Sequence, residues 1–204
     1  MKKLVLSDVH EELGGKMVDF ASYFMPVLYE GVNTEHLAVR ENVGVFDVSH
    51  MGEVFVSGEN ALDFLQYIAS NDVSKLKEGK VQYTYFPNTS GGIVDDLLVY
   101  KLADNEFMLV VNASNLEKDL AWINKHNSFG CTIDNQSDNY SLFAVQGPNS
   151  IELLQQITQV NLEEIEYYNF KIGTIAGIEN VILSRTGYTG EVGFELYVKN
   201  ENAL

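Results

Sequence analysis

The sequence of 204 residues has few of the residues that build cross-links and metal sites. Cys131 is its only cysteine, which excludes an intrachain disulfide and a thiolate metal cluster. The four histidines are scattered, without the HxxH or HExxH spacing of paired metal ligands. Its glycine-containing stretches GPNS and GGIV lack Rossmann and P-loop spacing. We therefore expect no metal site and no nucleotide-binding loop.

Basic residues and long apolar runs are also scarce. The 13 Lys and Arg against 29 Asp and Glu give a formal charge of -16, a field that repels nucleic acids and anionic membrane surfaces. No run approaches the ~18 apolar residues of a membrane helix. In the N-terminal segment MKKLVLSDVHEELG, charged residues follow the apolar patch too closely for a signal peptide. We expect a cytoplasmic protein that binds neither nucleic acid nor membrane.

From Gly52 onward, strand and helix patterns alternate. GEVFVSG alternates like a strand, and ENALDFLQYIA has the apolar spacing of a helix. VQYTYFPN, GIVDDLLVYKL and EFMLVVN, separated by turn residues, predict three antiparallel strands. ASNLEKDLAWINKH predicts a second helix, with Ser114 as its cap.

Part of this pattern recurs. VSGENALDFLQYI (56–68) aligns with VQGPNSIELLQQI (145–157) at a constant offset of 89 residues, and FMLVV (107–111) resembles FELYV (194–198). Repeated strand–helix–strand–strand units predict an α+β fold of two related lobes, each an antiparallel sheet covered by helices.

GGIVDDLLVY (91–100) places two adjacent carboxylates inside a strand pattern. Side chains alternate along a strand, so Asp95 and Asp96 must point to opposite faces. A buried charge is costly unless it is paired or hydrogen-bonded, so at most one of them faces a core or pocket. These residues alone are also compatible with the wet edge of a hairpin.

RTGYTGEVGFELYV (185–198) is the densest motif, with three glycines in seven positions. Such glycines favour an irregular backbone, often where a chain approaches a ligand. Glu195 projects opposite to its apolar neighbours in the following strand. The residues alone allow it to pair with Arg185 or to lie on a solvent face.

FDVSHMGEV (46–54) suggests a Ser49–His50 nucleophile and base. Adjacent residues on an extended chain face apart, which is poor geometry for such a pair. We therefore interpret His50 as structural.

Taken together, these motifs resemble the aminomethyltransferase family, the T-proteins of the glycine cleavage system. The resemblance spans nearly the whole chain. It is carried by HEELGGKMVDFASYFMPVLY, EHLAVRENVGVFDVSHMGE, NDV (71–73), GGIVDDL, LVVNASN, QGP (146–148) and SRTGYTGEVGFE.

The resemblance implies a fold of two ferredoxin-like, folate-binding lobes and a C-terminal β-barrel around a central folate cavity. The first lobe would be discontinuous, formed by residues 1–50 and 138–204. The second lobe, residues 51–137, would be inserted into it. The family continues beyond these residues with a pterin-binding arginine and the barrel, so we expect both to be absent from this chain.

The resemblance also implies a reaction. The aminomethyl group on the lipoyl arm of the H-protein would pass its methylene to tetrahydrofolate, a co-substrate, with release of ammonia and without a metal. Asp96 matches the family's catalytic aspartate and would face the folate cavity, leaving Asp95 to structure or solvent. Glu195 matches the residue that binds the pterin. The remaining matched pocket positions are Tyr188, Tyr83, Asn112 and Met51.

Two other functions share this architecture. One is a folate-dependent demethylase, or the folate module of an amine-oxidising enzyme, against which the complete motif series argues. The other is a non-enzymatic folate-binding protein with a Lys-Gly-Cys-Tyr type motif. This chain instead has Arg185-Thr186-Gly187-Tyr188 at that place, and Cys131 lies elsewhere.

Overall fold

The computed structural model describes all residues from 1 to 204 and divides into two compact units. One unit consists of Met1–His50 together with Asn139–Leu204, and the other is Met51–Asp138. Each has a five-stranded sheet and an apolar cluster of its own. No helix in the chain is both long enough and apolar enough to cross a lipid bilayer.

The elements follow one another in chain order as listed here by their bounds. They are β1 (Lys2–Lys3), α1 (Ser7–Glu12), β2 (Met17–Phe20), β3 (Tyr23–Pro26), α2 (Val32–Glu41), β4 (Gly44–Asp47), β5 (Gly52–Ser57), α3 (Ala61–Ile68), β6 (Val81–Pro87), β7 (Ile93–Ala103), β8 (Glu106–Val111), α4 (Leu116–His126), β9 (Thr132–Asn135), β10 (Tyr140–Gln146), α5 (Ser150–Gln155), β11 (Phe170–Ile175), β12 (Ile178–Ser184) and β13 (Gly193–Lys199).

The Met51–Asp138 unit is a ferredoxin-like arrangement with one additional edge strand. Its sheet has the order β6-β7-β8-β5-β9, and every neighbouring pair is antiparallel. Helix α3 buries Ala61, Phe64, Leu65 and Ile68, which are spaced three and four residues apart on one face of the helix. These side chains pack with alternate residues of β5, β7 and β8 to form the core.

The discontinuous unit repeats the same sheet order. Its large sheet runs β11-β12-β13-β10-β4, again antiparallel throughout. The predicted α+β fold with antiparallel sheets and covering helices is therefore confirmed, without a closed barrel. A small sheet, β1-β3-β2, is added at the N-terminal end of the chain.

The two sheets show why one unit is discontinuous. In the Met51–Asp138 unit, α4 and β9 come last in the chain and β9 pairs with β5. In the other unit the corresponding edge strand is β4, which follows α2 and precedes β10 in sequence while pairing with it. The last helix and strand of the repeat thus precede its other elements in the sequence of this unit.

Matching polar turns follow the two edge strands. Ser49 Oγ donates to Asp47 Oδ1 and accepts from the backbone N–H of Leu142 at 2.9 Å. Ser137 Oγ donates to Asn135 Oδ1 and accepts from the backbone N–H of Glu53 at 3.0 Å. Ser137 is therefore the equivalent of Ser49 in the repeat. This shared role in a turn explains the serine of DVSH without nucleophilic chemistry.

The predicted cap of α4 is wrong. The helix begins at Leu116 with Asn115 at its N-cap, and Ala113–Asn115 form a short 3-10 turn that contains Ser114. No side chain caps this helix, and Asn115 Nδ2 donates to Asp95 Oδ1.

The repeat also provides a matched stability test. Gly58 and Gly147 occupy equivalent turns with φ of 132° and 133°. A Cβ on Gly58 would come no closer than 3.6 Å to Cys131 Cα, whereas one on Gly147 would lie 2.3 Å from the carbonyl oxygen of Asn42. Backbone cannot move aside as a flexible side chain can.

We therefore expect Gly58→Ala to cost about 1–3 kcal/mol of backbone strain. Gly147→Ala should cost at least ~2 kcal/mol more, because overpacking is added to the same strain. Urea unfolding of the two variants measures the difference, and equal losses would contradict this account of the turn.

Candidate functional site

Strand β7 separates the two adjacent aspartates as the alternation predicts. Asp95 is only 7% exposed and lies on the same face as the core residues Leu97 and Val99. Asp96 is exposed and shares its face with Leu98. The carboxylate that is buried is therefore Asp95, and Asp96 lies on the opposite, accessible face of the sheet.

Asp96 is held by two side chains that the strand register brings to it. Tyr83 on β6 pairs with Leu98, so it is a diagonal neighbour of Asp96 on the same face. Its hydroxyl donates to Asp96 Oδ2 at 2.8 Å. Asn112 follows Val111, the partner of Leu97, and its Nδ2 lies 3.2 Å from both Oδ1 and the carbonyl oxygen of Asp96.

This cluster unites three of the residues that the resemblance matched: Asp96, Tyr83 and Asn112. The Tyr83 side chain remains 52% exposed, so the cluster is open to solvent on one side. Two donors hold this exposed carboxylate in one orientation. It is suited to contact a cationic ligand or a ligand that carries N–H donors.

Asp95 belongs to a buried polar network beneath the same strand. Its Oδ1 accepts from Asn115 Nδ2 at 2.7 Å, and its Oδ2 lies 3.2 Å from Asn112 Nδ2. Asp119 on α4 is fully buried, and neither of its carboxyl oxygens has a hydrogen-bond partner. Burial, together with the neighbouring Asp95 carboxylate, raises the pKa of Asp119 to about 8.

Sequence reasoning missed Asp119, although the sequence contains a signal for it. In α4 the buried residues are Leu116, Asp119 and Ile123, spaced three and four apart. A carboxylate on the apolar stripe of an amphipathic helix indicates a buried acid.

Glu53 on β5 is a second buried acid that sequence reasoning did not identify. Its register partner is Val110, which in turn pairs with Leu98, so Glu53 and Asp96 belong to the same sheet face. Glu53 is 1% exposed, and neither carboxyl oxygen has a hydrogen-bond partner. Burial holds the pKa of Glu53 well above its usual range, which favours the neutral carboxyl group.

Glu195 lies on β13 of the discontinuous unit and is half-buried. Burial raises the pKa of Glu195, while the hydroxyl of Thr186, which donates to its Oε2, acts in the opposite direction. Its pairing with Arg185, one alternative from the sequence, is wrong: the Arg185 guanidinium donates to the carbonyl of Ile165 at 2.8 Å. Oε1 of Glu195 remains available as an acceptor.

The glycines of RTGYTGEVG surround a buried glutamine. Gln146 is fully buried, accepts from Thr189 Oγ1 at 2.9 Å and donates to the carbonyl of Thr186 at 3.2 Å. A Cβ on Gly187 would lie 2.1 Å from Gln146 Oε1, and one on Gly193 would lie 2.5 Å from its Nε2. These glycines allow the loop to close around Gln146.

Tyr188 lies at the tip of this loop with its side chain fully exposed. Arg40 anchors the loop from below, donating to the carbonyl of Thr189 at 2.7 Å and to Glu191 Oε1 at 2.8 Å. The loop backbone is thus held while the Tyr188 ring is free to contact a ligand.

The discontinuous unit has a cleft of about 1240 Å³, and its lining includes Tyr188, Arg40, Phe46 and His50. The His50 ring packs edge-to-face on Phe20, and its buried Nδ1 has no hydrogen-bond partner. Burial lowers the pKa of His50, which favours the neutral ring. These contacts support the structural interpretation of His50.

A hydrogen-bonded series beside the cleft joins the N-terminal region to β4. Tyr29 Oη lies 2.7 Å from His10 Nδ1, and His10 Nε2 lies 2.8 Å from Asp47 Oδ2. His10 is 7% exposed, so its contact with Asp47 is shielded from solvent.

Met51, the remaining matched position, is half-buried at the start of the Met51–Asp138 unit. No group of three or more His, Cys, Asp and Glu side chains is arranged to hold a metal ion. Three of the matched residues, Asp96, Tyr83 and Asn112, thus form one cluster in the Met51–Asp138 unit. Glu195 and Tyr188 lie on or beside one glycine-rich loop in the discontinuous unit.

Comparison with known proteins gives concordant results. Residues 6–204 match the family described as the GCVT N-terminal domain. An aminomethyltransferase from Flavobacterium psychrophilum is 59% identical over 203 residues, covering 100% of this chain and 56% of the relative. An aminomethyltransferase from Bacteroides fragilis is 54% identical over 204 residues, again covering 56% of the relative. The chain thus spans about half the length of these curated relatives.

Solved structures agree. The glycine cleavage system aminomethyltransferase T from Bartonella henselae superimposes with a TM-score of 0.91 at 36% identity, over 99% of this chain and 55% of that one. A heterotetrameric sarcosine oxidase from Corynebacterium sp. U-96 gives a TM-score of 0.58 at 16% identity, over 83% of each chain. The second likeness shows a shared fold alone.

The burial of Asp119 predicts that the stability of the folded chain depends on pH. Its pKa rises from 3.8 to about 8 on folding, so between these values the folded chain keeps a proton that the unfolded chain releases. Stability from this group is therefore lost as pH rises through that window. Asp119→Asn removes the titration while keeping the shape of the side chain.

We expect the unfolding free energy of Asp119→Asn, relative to the unsubstituted chain, to improve by at least about 1 kcal/mol between pH 5 and pH 8. Urea unfolding at both pH values measures this change, with Asp63→Asn on the exposed side of α3 as the control. If the unfolding free energies of Asp119→Asn and of the unsubstituted chain differ by the same amount at both pH values, Asp119 is not buried in its protonated form.

Proposed function

Because this chain belongs to the aminomethyltransferase family, matching its GCVT N-terminal domain over residues 6–204, we propose that it serves the transfer step of the glycine cleavage system. The methylene of the aminomethyl group carried on the lipoyl arm of the H-protein would pass to tetrahydrofolate. The observation that carries the proposal is the exposed Asp96 carboxylate, oriented by Tyr83 and Asn112.

The atoms of this reaction balance without a redox step. The carbon breaks its bonds to the lipoyl sulfur and to the amino nitrogen, and forms bonds to N5 and N10 of the folate. The two protons displaced from those nitrogens go to the sulfur and to the leaving ammonia. The products are dihydrolipoyl H-protein, ammonia and 5,10-methylenetetrahydrofolate, and the chain itself needs no covalent attachment to substrate.

Asp96 can contribute in two ways, both compatible with its contacts. Its negative charge would stabilise the cationic carbon that develops as ammonia leaves. It could instead orient a folate nitrogen and accept its proton. Either role requires a carboxylate held on an accessible surface, as Tyr83 and Asn112 hold Asp96.

Glu195 suits recognition of the pterin. The 2-amino-pyrimidinone edge offers two N–H donors, and a carboxylate can accept both. Oε2 already accepts from Thr186, and Oε1 has an open acceptor site. In this proposal Tyr188, Tyr83 and Met51 supply aromatic and apolar contacts to the folate, and Asn112 a polar one.

We assign the discontinuous unit as the first folate-binding lobe and the inserted unit as the second. In this assignment the protein works in the cytoplasm with lipoylated H-protein as its partner. Identity of 54–59% to aminomethyltransferases, against 16% to the sarcosine oxidase, favours glycine cleavage over an amine-oxidising relative.

The first test replaces the proposed catalytic group. We expect Asp96→Asn to reduce methylene transfer by about 10²–10³-fold, because a preorganised charge at the reacting carbon is lost. Tetrahydrofolate affinity should change by less than about threefold, since Asp96 acts on the reacting atoms. Asp104→Asn, at the exposed turn after β7, is the matched control.

Transfer is measured with lipoylated H-protein as the donor of the aminomethyl group, and affinity by isothermal titration. Asp96→Asn that transfers at the normal rate would show that the catalytic assignment is wrong.

The second test concerns the pterin. Glu195→Gln should weaken tetrahydrofolate binding by at least about tenfold, because an amide offers only one acceptor atom. Glu179→Gln on the exposed part of β12 should bind normally. Isothermal titration compares the two variants, and unchanged affinity in Glu195→Gln would remove Glu195 from the pterin site.

A further inference from the structure

We propose that Thr186 is a positioning residue for Glu195 in folate recognition, and that the buried amide of Gln146 holds Thr186 in place. The inference rests on the proposed function, because the orientation of Glu195 matters only if this carboxylate binds the pterin. It concerns the segment between β12 and β13 of the discontinuous unit.

The first step is the placement of the Thr186 hydroxyl. Ser184 on β12 is the register partner of Glu195 on β13, and Thr186 follows Ser184 by two residues. Thr186 Oγ1 donates to Glu195 Oε2 and lies 2.9 Å from Ser184 Oγ. Both Ser184 and Thr186 are buried. The half-buried carboxyl group of Glu195 is thus held on one side by a hydroxyl that is shielded from water.

The second step is the fixation of Thr186 itself. Gln146 at the end of β10 is fully buried, and its Nε2 donates to the carbonyl of Thr186 at 3.2 Å and to the carbonyl of Phe194 at 3.4 Å. Phe194 directly precedes Glu195 in the chain. One amide group therefore ties together the backbone on both sides of the hydrogen bond between Thr186 and Glu195. This fixes the hydroxyl relative to the carboxylate.

The third step concerns the acceptors that remain for a ligand. An ionised carboxylate only accepts hydrogen bonds, and it has about four acceptor sites on its two oxygens. The contact with Thr186 uses one site on Oε2, restrains rotation of the carboxyl group and leaves Oε1 open to the N–H donors of the pterin. The same contact favours the ionised form of Glu195, whereas burial raises its pKa.

The internal repeat shows that the fold does not require polar groups at this place. Met108 in FMLVV corresponds to Glu195 in FELYV. The register partners of these two residues are Tyr100 in the inserted unit and Ser184 in the discontinuous unit. Met108 and Tyr100 are large, fully buried side chains. A hydrogen-bonded carboxyl group at this position is therefore a feature of one unit, as a role in ligand binding requires.

Two substitutions separate positioning from packing. Thr186→Val keeps the shape of the side chain and removes the hydroxyl, whereas Thr186→Ser keeps the hydroxyl. We expect Thr186→Val to weaken tetrahydrofolate binding by at least about fivefold and Thr186→Ser to bind within about twofold of the unsubstituted chain. Thr174→Val, at an exposed position of β11, is the control and should bind normally. Isothermal titration measures the affinities, and unchanged affinity in a folded Thr186→Val would overturn the proposal.

A double-mutant cycle distinguishes action through Glu195 from a general loss of structure. If Thr186 acts through Glu195, its hydroxyl has nothing to position in Glu195→Ala. The double variant should then bind within about twofold of Glu195→Ala alone. If Thr186→Val weakens binding by the same factor with and without Glu195, the proposal is wrong.

The pH dependence of binding gives a second readout that a merely structural role would not move. The register partners of Glu195, Ala144 and Ser184, carry no charge. The titratable side chain coupled to it is Tyr168, whose pKa is raised by burial and by the nearby Tyr167 and Glu195. Tyr168 therefore stays neutral over the acidic range in which Glu195 titrates.

Folate binding in this proposal needs the ionised carboxylate, so affinity should fall as pH drops through the pKa of Glu195. Loss of the Thr186 hydrogen bond raises this pKa further. The fall should therefore begin at higher pH in Thr186→Val than in the unsubstituted chain. Titration of the ligand itself is common to both proteins, and identical pH profiles would count against the positioning role.

Glu195→Gln measured beside these variants distinguishes the two levels of inference. If Glu195→Gln binds tetrahydrofolate normally, the proposed pterin contact fails, and the positioning role fails with it. If Glu195→Gln loses affinity while a folded Thr186→Val binds normally, only the positioning role fails. Thr186→Ala removes the same hydroxyl where Thr186→Val does not fold. Failure of both variants to fold would show that the hydroxyl serves the fold, which also overturns the proposal.

Discussion

The constraint on which the site depends is the alternation of side chains in a register-locked antiparallel sheet. β7 pairs with β6 on one side and with β8 on the other, which fixes the face on which each residue lies. Asp95 is thereby committed to the core face and Asp96 to the opposite face. A slip of one residue would exchange them and leave the exposed cluster without its carboxylate. Backbone pairing thus determines which aspartate can meet a ligand.

Burying acids has a physical consequence that recurs in this molecule. Glu53, Asp95 and Asp119 are all less than a tenth exposed, and removing a carboxyl group from water costs free energy. Asp95 accepts from the amides of Asn112 and Asn115, whereas Glu53 and Asp119 have no hydrogen-bond partner and burial raises the pKa of both. Neutral acids can donate hydrogen bonds, which ionised ones cannot.

The internal repeat explains how one scaffold carries different chemistry in its two halves. Equivalent sheet orders place Met108 of β8 where β13 has Glu195, because Val56–Phe107 and Val145–Phe194 are corresponding register pairs. An apolar position in one unit is thus a carboxyl position in the other. The shared architecture comes from backbone pairing and apolar cores, while the side chains on the face opposite each core have diverged.

The sequence by itself determined the strand and helix pattern, the repeat, the opposite facing of Asp95 and Asp96, and the family. These depend on local periodicity and on ordered motifs, which a linear chain displays. Only the tertiary structure decided that Asp95 is the buried member, that Asn115 serves Asp95 rather than capping α4, and that Arg185 binds a carbonyl instead of Glu195. It also revealed Asp119 beneath the cluster. Each depends on which distant groups satisfy a buried donor or acceptor, and that choice is made by packing across strands and helices far apart in sequence.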